Sequence, residues 1–379
     1  MSFLTDAATE MIYPLLPLFL SSVLGANASF IGAIEGAAET TAALLKLASG
    51  WWSDKVKKRK PLVVIGYGIA TIARPFTAIA QSAMQVLAIR VTDRVGKGIR
   101  TAPRDALLAD STDPETRGRS FGFHAAMDNA GAVLGPLIAF LLLRHFNFTL
   151  RNVFWMAAVP GALAFLVLLL FVKEVQHHGG AKKDAALDTS VKLGGRFWYY
   201  LAVVFLFTLG NSTDAFLLLR SNQLGVAIAL APILWAFFNG VKAAFGTWGG
   251  SLSDRFGRKP LIIAGWTVYA LVYFGFAIAT SQWHAWALFA GYALFYAFTE
   301  GTEKAFVADL IPRERRGAAF GWFNLAVGLG ALPASLIFGA IWDRVSPHAA
   351  FLFGASLAIL ASIGMLFVRG NTAVPSHSP

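Results

Sequence analysis

Apolar stretches of about 20 residues recur from one end of the sequence to the other, and this feature limits the fold most strongly. A helix of that length crosses roughly 30 Å of hydrocarbon. Charged residues make up only 14% of the chain, too few to cover the surface of a soluble domain of 379 residues. The sequence therefore predicts an all-α membrane protein.

The apolar stretches can be read as twelve membrane-spanning helices. Their predicted bounds are 3–24, 30–52, 61–80, 83–109, 119–142, 152–173, 197–220, 226–251, 260–280, 285–309, 317–342 and 348–368. Basic residues are concentrated in the connections that follow even-numbered helices, whereas the opposite connections hold only Arg144, Arg151, Arg220 and Arg344. By the positive-inside rule, we expect a multi-pass protein of the inner membrane with both termini in the cytoplasm. The net charge of +11 is then a topology signal, and no nucleic-acid partner is expected.

Two sequence motifs occur twice at nearly the same spacing. Residues 50–59 (GWWSDKVKKR) match residues 250–259 (GSLSDRFGRK), and the Ala-Asp pair ending at Asp110 matches the pair ending at Asp309. This repeat predicts two pseudo-symmetric six-helix bundles. We expect them at 1–173 and 197–368, joined by a polar, glycine-rich cytoplasmic linker at 174–196 and followed by a cytoplasmic tail at 369–379.

The repeated motif G-x-x-x-D-[RK]-x-x-[RK]-[RK] resembles the signature of the major facilitator superfamily, although Lys57 stands where the first copy would carry glycine. The resemblance covers essentially the whole chain. Gly131, Gly135 and Pro136 resemble the motif of antiporter-type exporters in this superfamily. The resemblance implies a monomeric transporter, not an enzyme, whose two halves rock around a site near the bilayer midplane.

The start of the chain departs from the symmetry of the two halves. Thr5-Asp6-Ala7 is similar to Thr213-Asp214-Ala215, but far fewer residues precede Asp6 than precede Asp214 within the half. We therefore expect a shortened first helix, or a chain that begins inside that helix.

The fourth predicted helix carries an unusual number of charges on one face. At 100° per residue, an arc of roughly 140° holds Arg90, Asp93, Arg94, Lys97, Arg100, Thr101, Arg104 and Asp105. A charge that faces lipid near the bilayer centre costs at least about 2.5–3.5 kcal/mol, so this face must point into the protein. Counting 1.5 Å per residue places Glu35 and Glu39 level with Arg90 and Arg94. Basic and acidic residues within the membrane nearly balance, so only this helix favours an anionic substrate.

From these charges and motifs we predict two groups of functional residues. The substrate and coupling cavity is expected to include Asp6, Glu10, Glu35, Glu39, Arg90, Arg94, Lys97, Asp128, Asp214, Lys242, Tyr296 and Glu300. The conformational motifs and gates are expected to include Gly50, Asp54, Lys58, Arg59, Arg104, Asp110, Arg117, Gly131, Gly135, Pro136, Asp254, Arg258, Glu303, Lys304, Asp309 and Arg316. The alternative for any single charge is that it only holds helices in register.

Asp110 and Asp309 are 199 positions apart, and this offset between the halves leads to a hypothesis for the cytoplasmic gate. Arg104 corresponds to Glu303 and Asp105 to Lys304, so closing the cytoplasmic side would bring opposite charges together. The alternative is pairing within one helix, such as Glu300 with Lys304 at i, i+4 spacing. By family resemblance, Asp54 is expected to bind the N-terminus of the eleventh helix and to control the conformational equilibrium.

The sequence predicts secondary active transport of a small organic solute across the lipid bilayer. No Walker motif is present, so a proton gradient is the expected energy source, and export is favoured over import by the motif in the fifth helix. The chain has no cysteine and no H-E-x-x-H pair, so neither a metal nor another cofactor is expected. The alternatives are a lipid or lysolipid flippase of the same fold, which would have an apolar cavity, and a non-transporting assembly factor or sensor.

Overall fold

The fold is known from a computed structural model that describes residues 1–55, 59–112, 117–172, 174, 193–311 and 316–368, without the side chains at 54, 55, 117–119, 247, 250, 254 and 317. Helices make up twelve spans in this part of the chain. The first six are α1 (Ser2–Ile12 and Leu16–Ser22), α2 (Ala28–Lys55), α3 (Lys60–Ala73, extended by a 3₁₀ turn, Arg74–Ile79), α4 (Ala83–Asp110), α5 (Arg117–Arg144) and α6 (Leu150–Met156 and Ala158–Phe171). The last six are α7 (Gly195–Gly210 and Ala215–Gln223), α8 (Ala231–Phe256, preceded by a 3₁₀ turn, Ile228–Leu230), α9 (Arg258–Ile278), α10 (Gln282–Leu310), α11 (Arg316–Arg344) and α12 (Pro347–Phe367). The predicted twelve-helix fold is confirmed.

Nine of these spans are long and apolar enough to cross a membrane by composition alone, as judged on the described residues. The other three are α2, α4 and α10. They carry charged residues that line or support a central cavity, which lowers their apolar character without preventing them from spanning the bilayer. Their polar faces can be accommodated only because they point into the protein.

The first helix of each half is interrupted, and the two interruptions are related by the repeat. The helix α1 breaks at 13–15 and α7 breaks at 211–214. In α7 the break is a run of short polar residues after Gly210, whose side chains compete for backbone hydrogen bonds. Asp214 lies at this break, whereas Asp6 lies inside a regular helix, two turns before the break in α1. The similarity of Thr5-Asp6-Ala7 to Thr213-Asp214-Ala215 is therefore not a structural equivalence.

Within the first half, α5 packs closely on α1, while α4 packs on α2 and α3. A Cβ atom at Gly131 would lie 2.5 Å from the carbonyl oxygen of Phe3, and one at Gly135 would overlap Ala7. These glycines are therefore needed for the close approach of the two helices. The assignment of 174–196 as a linker and 369–379 as a tail falls largely outside the described residues, so the domain boundaries stay a prediction.

The two halves meet along α2 and α11, and also along α5 and α8. We call the side on which α1 begins the terminal side, and the side on which α1 ends the distal side. Near the distal side, a Cβ at Gly339 would lie 2.7 Å from the Cα of Ser29, so the helices are in backbone contact. The carboxylate of Asp343 at the end of α11 accepts hydrogen bonds from the backbone N–H groups of Ala28 (3.1 Å) and Ser29 (2.7 Å), which begin α2. A carboxylate in this position is stabilised by the dipole of α2, so this contact stabilises the closed distal side.

This packing predicts that a larger residue at Gly32 opens the distal side. A Cβ there would overlap the carbonyl oxygen of Ser335 on α11, so Gly32→Val should force the halves apart. The expected result is a longer distance between spin labels at Val23→Cys and Val345→Cys, which are exposed on the distal side and belong to different halves. Gly240→Val is the matched control, since a Cβ at Gly240 meets nothing within 4 Å. An unchanged distance in Gly32→Val would contradict the closed seam.

Candidate substrate cavity

A cavity of about 870 Å³ lies between the two halves. Its walls come from α1, α2, α4, α7, α8, α10 and α11. Lys46, Gly50 and Ala102 line it near the ends of α2 and α4 on the terminal side, whereas Asp343 and Gly339 close the distal side. As lined by the described residues, the cavity is therefore open toward the terminal side and closed on the distal side.

Three ion pairs join buried charges of α4 to α2 and α3. The guanidinium of Arg90 donates two hydrogen bonds to Glu35, at 3.0 and 2.6 Å, and both side chains are almost fully buried. Arg74 pairs with Asp93 at 2.8 Å. Glu35 and Arg74 line the cavity, whereas Asp93 and Arg90, the latter predicted as a cavity residue, lie behind its wall. The two pairs fix the register of α2, α3 and α4.

The third ion pair borders the cavity. Arg94 binds Glu39 at 3.1 Å, and the Glu39 side chain is 48% exposed, so solvent in the cavity reaches it. The depth counted from the sequence thus correctly placed Glu35 and Glu39 beside Arg90 and Arg94.

Two further cations of α4 line the cavity without an acidic partner among the described residues. Lys97 is exposed to the cavity and makes no ion pair with another described side chain. Arg100 is 5% exposed; its guanidinium carbon lies 4.3 Å from the ring centre of Tyr67, and its Nη1 atom is buried without a hydrogen-bond partner. Arg100 belongs to the charged face seen in the sequence but was not among the predicted cavity residues.

Three carboxylates of the cavity also lack a cationic partner within 4 Å in the described part of the chain. Asp6 lines the wall formed by α1. Glu10 accepts a hydrogen bond from the indole Nε1 of Trp235 at 2.7 Å, which joins α1 to α8 across the two halves. Asp214 accepts a hydrogen bond from the hydroxyl of Tyr292 at 2.5 Å. All three were predicted from the sequence as cavity residues.

Aromatic rings surround the carboxylates of Glu10 and Asp214. Tyr13 and Trp235 have ring centres 5.0 Å apart, and those of Trp235 and Phe238 are 4.8 Å apart. Trp235 and Phe238 were not predicted as site residues, because they are two among the 11 Trp and 32 Phe of the chain and no sequence pattern distinguishes them. A signal for this site existed in the polar run at 211–214, which interrupts an otherwise apolar helix.

Lys242 connects the aromatic rings to α10. Its ammonium lies 2.9 Å from Glu300 and 4.6 Å from the ring centre of Tyr296. Lys242 and Tyr296 line the cavity, while Glu300 supports Lys242. Among the described residues, Glu300 does not form the ion pair with Lys304 that was considered as an alternative above. It binds Lys242 of α8 instead.

Asp128 does not line the cavity. It accepts a hydrogen bond from Ser2 at the α1–α5 contact, and one of its oxygens lies 3.4 Å from Nδ1 of His124. Its position behind α1 follows from the close packing of α5 at Gly131 and Gly135.

The repeated motifs form matching ion pairs at the terminal side. Arg59 binds Asp110 at 2.5 Å and Arg258 binds Asp309 at 2.8 Å, so both members of each pair are 199 positions from their counterparts. Arg316 donates a hydrogen bond to the backbone oxygen of Ala308. Lys58 and the side chains of Asp54, Arg117 and Asp254 lie outside the described residues, so their predicted roles stay predictions.

Three of the four predicted gate charges, Arg104, Asp105 and Glu303, have partners within their own halves in this open conformation. Arg104 binds its neighbour Asp105 at 2.9 Å, and Glu303 accepts a hydrogen bond from Nε1 of Trp266 at 2.8 Å. Pairing of Arg104 with Glu303 would require the terminal side to close, so the cross-gate hypothesis stays a prediction.

Twelve helices around a polar cavity that opens to one side define a multi-pass membrane transporter. The family model described as Major Facilitator Superfamily matches residues 1–332 and 215–379. The chain is 37% identical to an uncharacterised MFS-type transporter of Methanocaldococcus jannaschii over 373 residues, 97% of this chain and 92% of that protein. This protein belongs to the Major Facilitator Superfamily, and it is a transporter rather than an enzyme.

Two more distant similarities complete the comparison. A class G tetracycline resistance protein of Vibrio anguillarum is 25% identical, with 89% of this chain and 87% of that protein covered. The structure of a variant of the nucleoside transporter NupG superposes with a TM-score of 0.82 at 15% identity, covering 97% of both chains, which shows the shared fold.

The ion pairs predict that some buried charges, such as Glu35, stabilise the fold, whereas others, such as Lys97, are needed for transport. Glu35→Gln removes the carboxylate that binds Arg90 at two points and leaves it only the 4.0 Å contact with Asp93, which should cost about 3–5 kcal/mol of stability. Lys97→Gln removes a charge that has no described partner, so thermal stability should be nearly unchanged while transport is lost. Thermal unfolding of the purified variants distinguishes the two effects. If Lys97→Gln destabilised the protein as much as Glu35→Gln does, Lys97 would be a structural residue.

Proposed function

We propose that this protein is a proton-coupled transporter of the inner membrane that exports a small organic solute. The observation that carries this proposal is the presence of Asp6, Glu10 and Asp214 in the cavity, where no described cation pairs with them. A carboxylate of this kind can take up and release a proton as the cavity changes its exposure. The terminal side is then the cytoplasmic side, as the basic connections predict.

Asp6 and Glu10 are the carriers that this proposal favours. Both lie on α1, and Glu10 is bonded to Trp235 of the other half, so protonation of Glu10 would weaken a link between the halves. Glu35 and Glu39, also predicted as carriers, are tied to arginines, and Asp128 lies outside the cavity. In this proposal they support the structure of the site.

Export is supported by two observations. Gly131 and Gly135 of the exporter-type motif make close contact with α1, and a relative of which 87% is covered is a tetracycline resistance protein. The protein is proposed to act as a monomer, with both termini in the cytoplasm.

The flippase alternative is less consistent with this cavity. A lipid tail needs an apolar surface, but Arg94, Lys97, Asp6 and Glu39 all line the walls. A non-transporting sensor would not need unpaired carboxylates and cations inside such a cavity, because burying charges without partners costs free energy.

Proton exchange in everted membrane vesicles tests the proposal. In energised vesicles that contain the protein, tetracycline or an active member of a panel of amines and amino acids should dissipate part of the pH gradient, reported by a pH-sensitive dye. The Asp6→Asn and Glu10→Gln variants should lose this response, while Arg144→Gln, an exposed residue at the distal end of α5, should keep it. A response that survives in Asp6→Asn and Glu10→Gln, or no response to any member of the panel, would contradict proton-coupled export.

A further inference from the structure

The charges that line the cavity separate into paired and unpaired groups. Ion pairs with described residues account for Arg74, Arg94, Glu35, Glu39 and Lys242. The lining charges that have no ion pair among the described residues are Lys46, Lys97, Arg100, Asp6, Glu10 and Asp214. Three are basic and three are acidic, so neither sign dominates what a substrate would meet.

The unpaired cations are concentrated on α4. Lys97 presents its ammonium to the cavity between Arg94 and Arg100. Arg100 is nearly buried and keeps one guanidinium nitrogen without a hydrogen bond. This wall of the first half is thus suited to an anionic group of a solute, with Lys97 as the accessible contact.

The unpaired acids nearest the second half lie among aromatic rings. Asp214 is at the break of α7, and Glu10 is bonded to Trp235. Phe238 and Tyr296 face the same cavity, with ring centres 5.7 Å apart. The ammonium of Lys242 lies 4.6 Å from the ring centre of Tyr296, and aromatic faces attract organic cations in the same way.

A solute of one charge would leave one of these groups without a partner. When the cavity closes and loses its water, an anion would leave Asp214 desolvated, and a cation would leave Lys97 desolvated; both cost free energy. We propose that the substrate is a zwitterion, with its anionic group on Lys97 and its amine at Asp214 and the aromatic rings. This inference rests on the proposed transport function and specifies its substrate class. Because Lys97 and Asp214 belong to different halves, such a solute would bridge the two halves.

Binding of matched amino-acid derivatives to the purified protein tests the charge requirement. The probes are free phenylalanine, leucine and glutamine, the amide of each, which lacks the anionic group, and the N-acetyl form of each, which lacks the amine. Apparent affinities come from the increase in unfolding temperature with probe concentration. For at least one of the three, the free amino acid should bind about 10- to 100-fold more tightly than its amide and its N-acetyl form, because each derivative loses one charge-assisted contact.

Two variants assign the contacts to residues. Lys97→Gln should remove the preference for the free amino acid over its amide, and Asp214→Asn the preference over its N-acetyl form. Arg144→Gln, outside the cavity, should keep both preferences. Equal or tighter binding of the amides or of the N-acetyl forms, or binding of none of the probes, would overturn the inference.

The proton-exchange assay in everted vesicles distinguishes failure of the zwitterion inference from failure of the proposed function. Proton exchange driven by a solute without an anionic group, with no zwitterion preference in the binding assay, would overturn the zwitterion inference and leave the proposed function standing. A zwitterion preference in the binding assay without any proton exchange would contradict the proposed function alone.

Discussion

The cost of placing charge in hydrocarbon is the constraint on which this structure depends. The helix α4 carries charges along most of its length, and it can remain in the membrane only because its charged face is turned inward and neutralised. The two-point contact of Arg90 with Glu35 and the pair of Arg74 with Asp93 neutralise four charges at buried positions. They also fix how α2, α3 and α4 lie relative to each other. The cavity is then bordered by the charges that this packing leaves exposed.

The first half can move as a unit because its ion pairs join its own helices, while its main contacts with the other half lie along two helix pairs, α2 with α11 and α5 with α8. On the distal side, α2 and α11 approach to backbone contact, and Asp343 binds the N-terminus of α2. On the terminal side the halves diverge around Lys46 and Gly50. The pairs Arg59–Asp110 and Arg258–Asp309 join elements within each half, so they need not break when the halves rotate. The hydrogen bond between Glu10 and Trp235 is different, since it joins the halves at the cavity itself.

Much of this arrangement could be predicted from the sequence, because it follows from the helical period and from the depth of each residue along its membrane-spanning helix. The number of helices, the repeat, and the level of Glu35 and Glu39 beside α4 all depend on regular helix geometry. What depends on irregular geometry or on contacts between the halves could not be predicted. The break in α7 separates Asp214 from its apparent counterpart Asp6, and the position of Asp128 behind α1 depends on how closely α5 approaches. Trp235 and Phe238 can be recognised as site residues only from the structure, which places their rings beside the carboxylates of Glu10 and Asp214.

Alternating access to one cavity is the central claim, and accessibility of Asn324 tests it most directly. Asn324 lies on α11 and lines the cavity, and the chain has no cysteine of its own, so Asn324→Cys is a single reporter. In vesicles of known orientation, a membrane-impermeant thiol reagent should label it from the terminal side at rest. During transport, the same reagent should also label it from the distal side. Labelling from the terminal side alone under every condition would contradict alternating access.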